Sequence, residues 1–200
     1  MNHNIVWHET LVNRQDRNRM NKHKSGVIWF TGCPASGKST IAHQVEKELF
    51  ERGIHCYVLD GDNVRHGINV NLGFSREDRK ENLRRIAEFS RLFVDAGVVV
   101  LAAFVSPYRE DRESVRQIVG PELFFEVYVK CSLETCEKRD PKGQYKKAKA
   151  GLIKEYTGVS APYEEPENPE IVLDTEELDV QSAVQKVLEF LDRKKFILLM

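Results

Sequence analysis

Apolar residues along the chain fall into two kinds of pattern. Short runs, interrupted only by Glu126, occupy 27–30, 56–59, 98–104, 124–129 and 171–173. Runs of that length bounded by turn residues predict buried strands, and apolar residues at three- and four-residue spacing between them predict helices packed on one side. Ile41, Val45 and Leu49 mark a helix over 38–52 that Gly53 stops. Ser75 and Asp78 read as a capping pair opening a helix with Leu83, Ile86, Ala87, Phe93 and Val94 on one face and Gly97 at its end. Pro107 is expected to start a further helix ending near Gly120 and Pro121. Ser132 is expected to cap a short helix reaching Arg139, and 180–191 to form a closing amphipathic helix.

Strands alternating with helices predict an α/β fold, a parallel five-stranded sheet with helices on both faces joined by right-handed crossovers. The wholly apolar run at 98–104 suits a central strand covered on both sides. Residues 1–25 stand apart: Arg14, Arg17, Arg19, Lys22 and Lys24 face only Glu9 and Asp16, a local net of +3. Ile5, Val6, Trp7, Leu11 and Val12 can pack as an arm on the body or on a second subunit, or the segment can be a solvated leader. Both readings stand. The expected organisation is an N-terminal arm over 1–25 and a single domain over 26–200.

Composition narrows the classes. With 200 residues, 41% hydrophobic and 30% charged, the chain suits one soluble domain or at most two small ones. The most apolar run, 98–105, is far short of the roughly 20 residues of a membrane-spanning helix, so no membrane partner is expected. Thirty Lys and Arg against 31 Asp and Glu leave a net charge of −1, which argues against nucleic acid as a partner. Cys33, Cys56, Cys131 and Cys136 form no C-x-x-C pair and read as reduced thiols of a cytoplasmic protein rather than a zinc site. The polar start, 1–10, shows no secretory h-region.

Gly32-Cys33-Pro34-Ala35-Ser36-Gly37-Lys38-Ser39 fits G-x-x-x-x-G-K-[ST], placed between a predicted strand and a predicted helix as its chemistry requires. Backbone N–H groups of such a loop and the helix N-terminus cradle phosphate. Lys38 would reach the β- and γ-phosphates, and the Ser39 hydroxyl would bind Mg²⁺. The expectation is a three-layer P-loop NTPase fold that binds ATP through Gly32 to Ser39 and the adjacent Thr40. No N-K-x-D guanine reader exists, since Asn21-Lys22-His23-Lys24 fails at its last position. A small-molecule kinase is the natural reading for so short a chain.

Asp60 and Asp62 flank Gly61 at the carboxyl end of the second predicted strand, where ligands sit in open parallel sheets. They are candidates to hold Mg²⁺ or to take the proton from an attacking hydroxyl. Arg79 and Asn82 share a helix face, and with Arg65 and Phe74 they suit a nucleotide-like anion. Arg84 and Arg85 read as surface charges. Ser106-Pro107 follows the third strand, as an acceptor contact or as a helix N-cap beside a proline at N1. Over 138–154, seven basic residues face Asp140 alone, a net of +6 in a stretch broken by glycines. A mobile basic lid over about 140–165 is expected, closing over phosphates and excluding water.

At this point the sequence resembles the adenylylsulfate kinase (APS kinase) family. The resemblance runs from about Trp7 to Leu173. It rests on Trp29-Phe30-Thr31-Gly32 with the P-loop, Leu59-Asp60-Gly61-Asp62-Asn63-Val64-Arg65-His66-Gly67, Leu72-Gly73-Phe74-Ser75, Asp78-Arg79 through Asn82 to Arg85-Ile86, and Ser106-Pro107-Tyr108-Arg109. Arg139-Asp140-Pro141-Lys142-Gly143, Tyr156-Thr157-Gly158, Pro162-Tyr163-Glu164 and Asn168-Pro169-Glu170 complete it. The resemblance implies transfer of the γ-phosphoryl of ATP to the ribose 3′-hydroxyl of adenosine 5′-phosphosulfate, giving 3′-phosphoadenosine 5′-phosphosulfate and ADP. It also implies a Mg²⁺ requirement, a cytoplasmic homodimer and a role in sulfate assimilation.

By motif match, Asp62, Asn63, Arg65, Phe74, Arg79, Asn82, Val105, Ser106, Lys142 and Tyr156 would line the acceptor site, and Arg139 would lie near the adenine. Lys38, Asp60, Asp62 and Ser106 are the expected catalytic set, with Ser39, Asp60 and Asp62 on the metal. Bacterial members are described as passing the phosphoryl through a serine, which maps to Ser106; a direct in-line route supplies the same positioning and charge neutralisation, and the role of Ser106 stays open. The chain departs from the family's usual pattern in two places. Cys33-Pro34-Ala35 replaces Leu-Ser and a small residue, so Pro34 withdraws one N–H from the cradle and Cys33 exposes the loop to oxidation. Tyr156 replaces a phenylalanine and keeps its ring. A kinase for another small hydroxyl acceptor, or an ATP-binding module without turnover, are the competing readings. The apolar tail from Phe196 to Met200 is expected at a subunit contact.

Overall fold

The computed structural model describes residues 6, 8 and 10–196. Its sheet has strands β1 (Gly26–Thr31), β2 (Cys56–Asp60), β3 (Val99–Ala103), β4 (Phe124–Lys130) and β5 (Ile171–Asp174), ordered β2-β3-β1-β4-β5 with every pairing parallel. β1 is central and all six of its residues are buried. Because strand side chains alternate, its two faces feed different cores. Ile28 and Phe30 pack with Ile41, Val45 and Leu49 of helix α2 (Lys38–Glu51) and with Val184, Val187 and Leu188 of α7 (Val180–Arg193). Val27 and Trp29 pack on the other face with Leu83, Ile86 and Ala87 of α3 (Arg76–Asp95) and Val115 and Val119 of α4 (Arg109–Val119). The result is the expected three-layer α/β sandwich.

After β1 the chain crosses to one face of the sheet as α2, and after the adjacent β3 it crosses to the other as α4. Connections that part in this way open a crevice at the carboxyl ends of the two strands. The loop after β1 and the loop after β3 form that crevice.

Element ends depart from the sequence reading at a few places. Ser75 caps α3 through its Oγ, which accepts from the Asp78 N–H at 3.1 Å, but the Asp78 carboxylate accepts from the Gly73 N–H at 3.0 Å instead of completing a reciprocal box. The helix expected from Pro107 begins at Arg109, with Tyr108 before it and no side-chain cap. Ser106-Pro107 is therefore neither an N-cap nor an N1 proline. Ser106 has φ +38, and the Pro107 carbonyl accepts from the Glu164 N–H at 2.8 Å. Helix α5 (Leu133–Arg139) is capped by Ser132 as expected, and the 140–165 stretch contains a short helix, α6 (Gln144–Lys149).

Within the N-terminal segment, helix α1 (Arg14–Asn21) carries a capping box between Asn13 and Asp16. It lies on the end of α3: Arg17 bonds both the carbonyl and the carboxylate of Asp95, and the Asn21 side chain bonds the Gly97 carbonyl at 3.1 Å. Gly97 has φ +87, and a Cβ there would stand 2.8 Å from the Asn21 amide. His23 is buried. Its Nδ1–H donates to the Lys24 carbonyl at 2.8 Å, and Nε2 accepts from the His55 N–H at 3.0 Å, so both nitrogens are used by the neutral ring. Burial holds its pKa below the usual histidine value. Val6, Leu11 and Val12 are exposed, while Ile5 and Trp7 lie outside the described residues. Phe196, expected at a subunit contact, packs edge-on against Phe125 of its own chain at 5.6 Å; residues 197–200 lie outside the described residues.

Candidate active site

The loop between β1 and α2 is shaped by close approach. Gly32 lies so near β4 that a Cβ would stand 2.5 Å from the Val129 carbonyl oxygen, and Gly37 enters α2 with φ +107. Ala35 also takes a left-handed φ of +63. No side chain caps α2, which leaves its first N–H groups available to an anion. Lys38 is buried and folds back across the loop. Its Nζ donates to the Cys33 carbonyl at 2.7 Å and to Ser36 Oγ at 3.4 Å. Burial pushes its pKa down to about 8, against the pull of the nearby Asp60 and Asp62. Pro34 keeps a use despite its missing N–H: its carbonyl accepts from the Tyr145 hydroxyl at 3.0 Å. The Cys33 thiol is pushed up to about 11 by burial, which leaves it protonated and unreactive at neutral pH. Thr40, in the first turn of α2, is exposed.

Ser39 and Asp60 meet as expected, with Ser39 Oγ donating to Asp60 Oδ2 at 2.6 Å. The other Asp60 oxygen accepts the N–H groups of Asp62 at 2.9 Å and Asn63 at 3.4 Å. Asp60 is therefore fixed at the end of β2, and with Ser39 it makes a hard oxygen pair suited to Mg²⁺. Asp62 is different. Its carboxylate is largely exposed and pairs with Lys142 of the 140–165 stretch, whose pKa rises through that hydrogen bond.

Arg65, Phe74, Arg79 and Asn82 come together beside this pair. Phe74 is 56% exposed, not core, and its ring is covered by the guanidinium groups of Arg65 at 4.4 Å and Arg79 at 5.6 Å. Arg65 donates to the carbonyls of Leu72 and Gly73. Arg79 donates to the Phe74 carbonyl and to the Glu155 carbonyl of the 140–165 stretch, both at 2.9 Å. Asn82 is buried, and its Oδ1 accepts from Asn69 at 2.9 Å, which turns its own amide N–H groups toward other partners. Arg85 is more than a surface charge, since it donates to Asn71 Oδ1 at 2.8 Å and to the Ile68 carbonyl at 3.2 Å, pinning the 68–71 turn. Arg84 pairs with Glu81 of its own helix.

Ser106 is buried on the floor of the crevice. Its Oγ accepts from Trp29 Nε1 at 3.1 Å and donates to Thr31 Oγ1 at 3.0 Å. Thr31 donates in turn to the Val105 carbonyl at 2.8 Å and meets the Tyr163 hydroxyl at 3.0 Å. Arg139 lies on the far side of the P-loop, where it donates to the Thr175 carbonyl at 2.6 Å and to Thr175 Oγ1 at 3.0 Å. Tyr156 is buried edge-on against Tyr145 at 5.1 Å, in a small cluster with Cys33, Cys131 and Cys136. All four cysteines are free.

Sequence reasoning gave no site role to Thr31, Asn69, Tyr163 or Thr175, although Thr31 and Tyr163 stand within the quoted motifs. Thr175 Oγ1 donates to the Ser36 carbonyl at 3.1 Å, tying the P-loop to the end of β5. One signal was available: Thr31 and Thr175 each stand next to the carboxyl end of a predicted strand, the same place that singled out Asp60 and Ser106.

Residues 24–174 match the family model described as adenylylsulphate kinase. The chain is 61% identical over 187 residues to a probable adenylyl-sulfate kinase of Halalkalibacterium halodurans, covering 94% of this chain and 93% of that one. It is 57% identical over 194 residues to the adenylyl-sulfate kinase of Oceanobacillus iheyensis, covering 97% and 98%. Among solved structures it is similar to the Mycobacterium tuberculosis APS kinase CysC in complex with AMPPNP and APS, with a TM-score of 0.82, 44% identity, and coverage of 85% of this chain and 99% of that one. A chain with a P-loop beside an arginine-lined crevice, sharing over half its residues with such relatives along nearly its whole length, belongs to the adenylylsulphate kinase family.

Proposed function

We propose that the protein transfers the γ-phosphoryl of ATP to the ribose 3′-hydroxyl of adenosine 5′-phosphosulfate, yielding 3′-phosphoadenosine 5′-phosphosulfate and ADP for sulfate assimilation. The observation that carries this reading is the meeting, at one crevice, of the P-loop with Arg65, Phe74, Arg79 and Asn82. The P-loop and the uncapped start of α2 hold the triphosphate. Phe74, flanked by two cations, offers a ring to a purine, and the arginines offer forks to an anionic phosphosulfate. A neutral sugar would leave those charges unanswered.

The 3′-oxygen forms a bond to the γ-phosphorus as the bond to the β,γ-bridging oxygen breaks. The 3′-hydroxyl proton goes to Asp62, the carboxylate that the backbone leaves free. Lys38 exchanges the Cys33 carbonyl for the transferring phosphoryl group, and closure of the lid through Lys142 and Arg79 keeps water out. Ser39 and Asp60 would hold Mg²⁺, which when bound neutralises charge on the phosphate oxygens. Ser106 acts as a structural floor for direct transfer, since its hydroxyl is already committed to Trp29 and Thr31. Arg139, held by Thr175, is read as the residue that borders the adenine.

We further read the protein as a cytoplasmic homodimer. Its four free thiols suit a reducing compartment. Light scattering of the purified protein tests the dimer against the 23.1 kDa chain mass, and cell fractionation tests the compartment. The reaction itself is tested by product analysis with ATP labelled at the γ-phosphorus: label should enter a nucleotide and be released by a 3′-specific nucleotidase. Label that resists that enzyme contradicts the proposed acceptor oxygen.

A further inference from the structure

Arg112, in the first turn of α4, is only 3% exposed, and a buried arginine must be matched group by group. Each of its nitrogens has a separate target. Nη1 donates to the Ser106 carbonyl at 2.7 Å, and Nη2 donates to the Glu164 carbonyl at 2.7 Å. Nε faces Glu126 Oε1 at 2.7 Å, but the contact is too poorly aligned to satisfy that oxygen as a hydrogen bond and acts as an ion pair. The guanidinium also lies 5.7 Å from the Tyr163 ring centre.

The two carbonyls belong to segments that sheet and helices leave unpaired. Ser106 is in the loop after β3, at a φ of +38 that a residue with a side chain rarely adopts. Glu164 is the root by which the lid returns to the body. Its N–H bonds the Pro107 carbonyl and its carboxylate accepts from the Arg109 N–H, both at 2.8 Å. Next to it, Tyr163 meets Thr31 at the mouth of the P-loop. One planar fork therefore holds the acceptor-side loop and the lid root in a single register.

We propose that Arg112 is a positioning residue for phosphoryl transfer. It touches no substrate, and acts by locking the Ser106 loop to the lid root so that the closing lid presses the acceptor into line with the γ-phosphate. The proposal rests on the function proposed above. A lysine cannot replace it, because an ammonium lacks the rigid fork that spans two carbonyls.

Arg112→Lys is the informative variant, since it keeps a positive charge opposite Glu126, which Arg112→Ala would strand. Its kcat/KM for adenosine 5′-phosphosulfate should fall at least about tenfold, as misplacements of about 1 Å can cost on the order of 10²-fold, while its KM for ATP stays within about twofold. Arg116→Lys, on the same helix, should match the wild type. Equal losses for both substrates, or an unchanged Arg112→Lys enzyme, overturn the proposal. A wild-type enzyme that does not use the phosphosulfate overturns the functional reading instead. Should Arg112→Lys not fold at the assay temperature, hydrogen exchange on the wild type decides: acceptor binding with an unreactive ATP analogue should protect amides of 105–108 and 163–166 together. Protection of one segment alone overturns the coupling.

Discussion

Replacing Ser106 by alanine separates a structural hydroxyl from a nucleophilic one. In the native protein Ser106 Oγ is the acceptor for Trp29 Nε1–H, and Trp29 is 0% exposed. Alanine leaves that buried donor without a partner and takes a hydrogen bond from Thr31. An orphaned buried donor costs about 1–3 kcal/mol. For a chain of this size each kcal/mol lowers Tm by about 2–4 °C, so a fall of about 2–12 °C is expected. Thermal denaturation reads that shift directly. Under direct transfer no bond to Ser106 is made during the reaction, so kcat should stay within about tenfold of wild type, the loss reflecting a floor that shifts by a fraction of an ångström. The reasoning is refuted by an Ser106→Ala enzyme with the expected Tm and intact binding of both substrates but no turnover. That result would make Ser106 a covalent carrier of the phosphoryl group.

Other expectations follow from the same geometry. Lys38→Ala should lower transfer by about 10³-fold or more, as measured by ADP release, because the buried cation folded across the P-loop is lost. Arg79→Ala should weaken acceptor binding by about tenfold or more while leaving ATP affinity nearly unchanged, since its contacts are to Phe74 and the lid and not to the P-loop; calorimetric titration of each ligand reads both. The Lys38 pKa is about 8 in the folded protein and 10.5 when solvated. Between those values the unfolded chain binds more protons, so the Lys38 contribution to stability rises with pH in that window. Over the same window kcat/KM for ATP should fall, as the amine that must face phosphate becomes neutral. Parallel Tm and kinetic profiles over this range would show the opposed trends, and parallel falls would contradict them. Thr175→Val should raise KM for ATP by about threefold to tenfold by untying Ser36 and Arg139, with acceptor KM unchanged in steady-state kinetics.

The five strands and the helix cover on both faces were legible because the apolar runs and the spacing of Ile41, Val45 and Leu49 report burial directly, whereas the order β2-β3-β1-β4-β5 was not. The P-loop, Asp60 and Ser39 were legible because they form local motifs at strand ends. What escaped the sequence was pairing between distant segments. Nothing local tells that Thr31 meets Tyr163 across 132 residues, or that Thr175 reaches Ser36 across 139. The start of α4 was misplaced for the same reason: the Pro107 carbonyl serves Glu164, a partner 57 positions further on, so the helix begins only after it. The exposure of the Phe74 ring was not legible, since it is explained by the two arginines the fold lays over it. Phe196 misled in the opposite sense, being apolar for its own core and not for a second chain.

The central claim is that the arginine-lined crevice selects a phosphosulfate as acceptor. Its most direct test is the rate of ADP release from Mg·ATP with adenosine 5′-phosphosulfate, AMP, adenosine and gluconate supplied in turn to the wild-type protein. The account predicts fast release with adenosine 5′-phosphosulfate alone. Comparable release with AMP or gluconate would contradict it, leaving the P-loop kinase fold in place and the reading of Arg65, Phe74, Arg79 and Asn82 wrong.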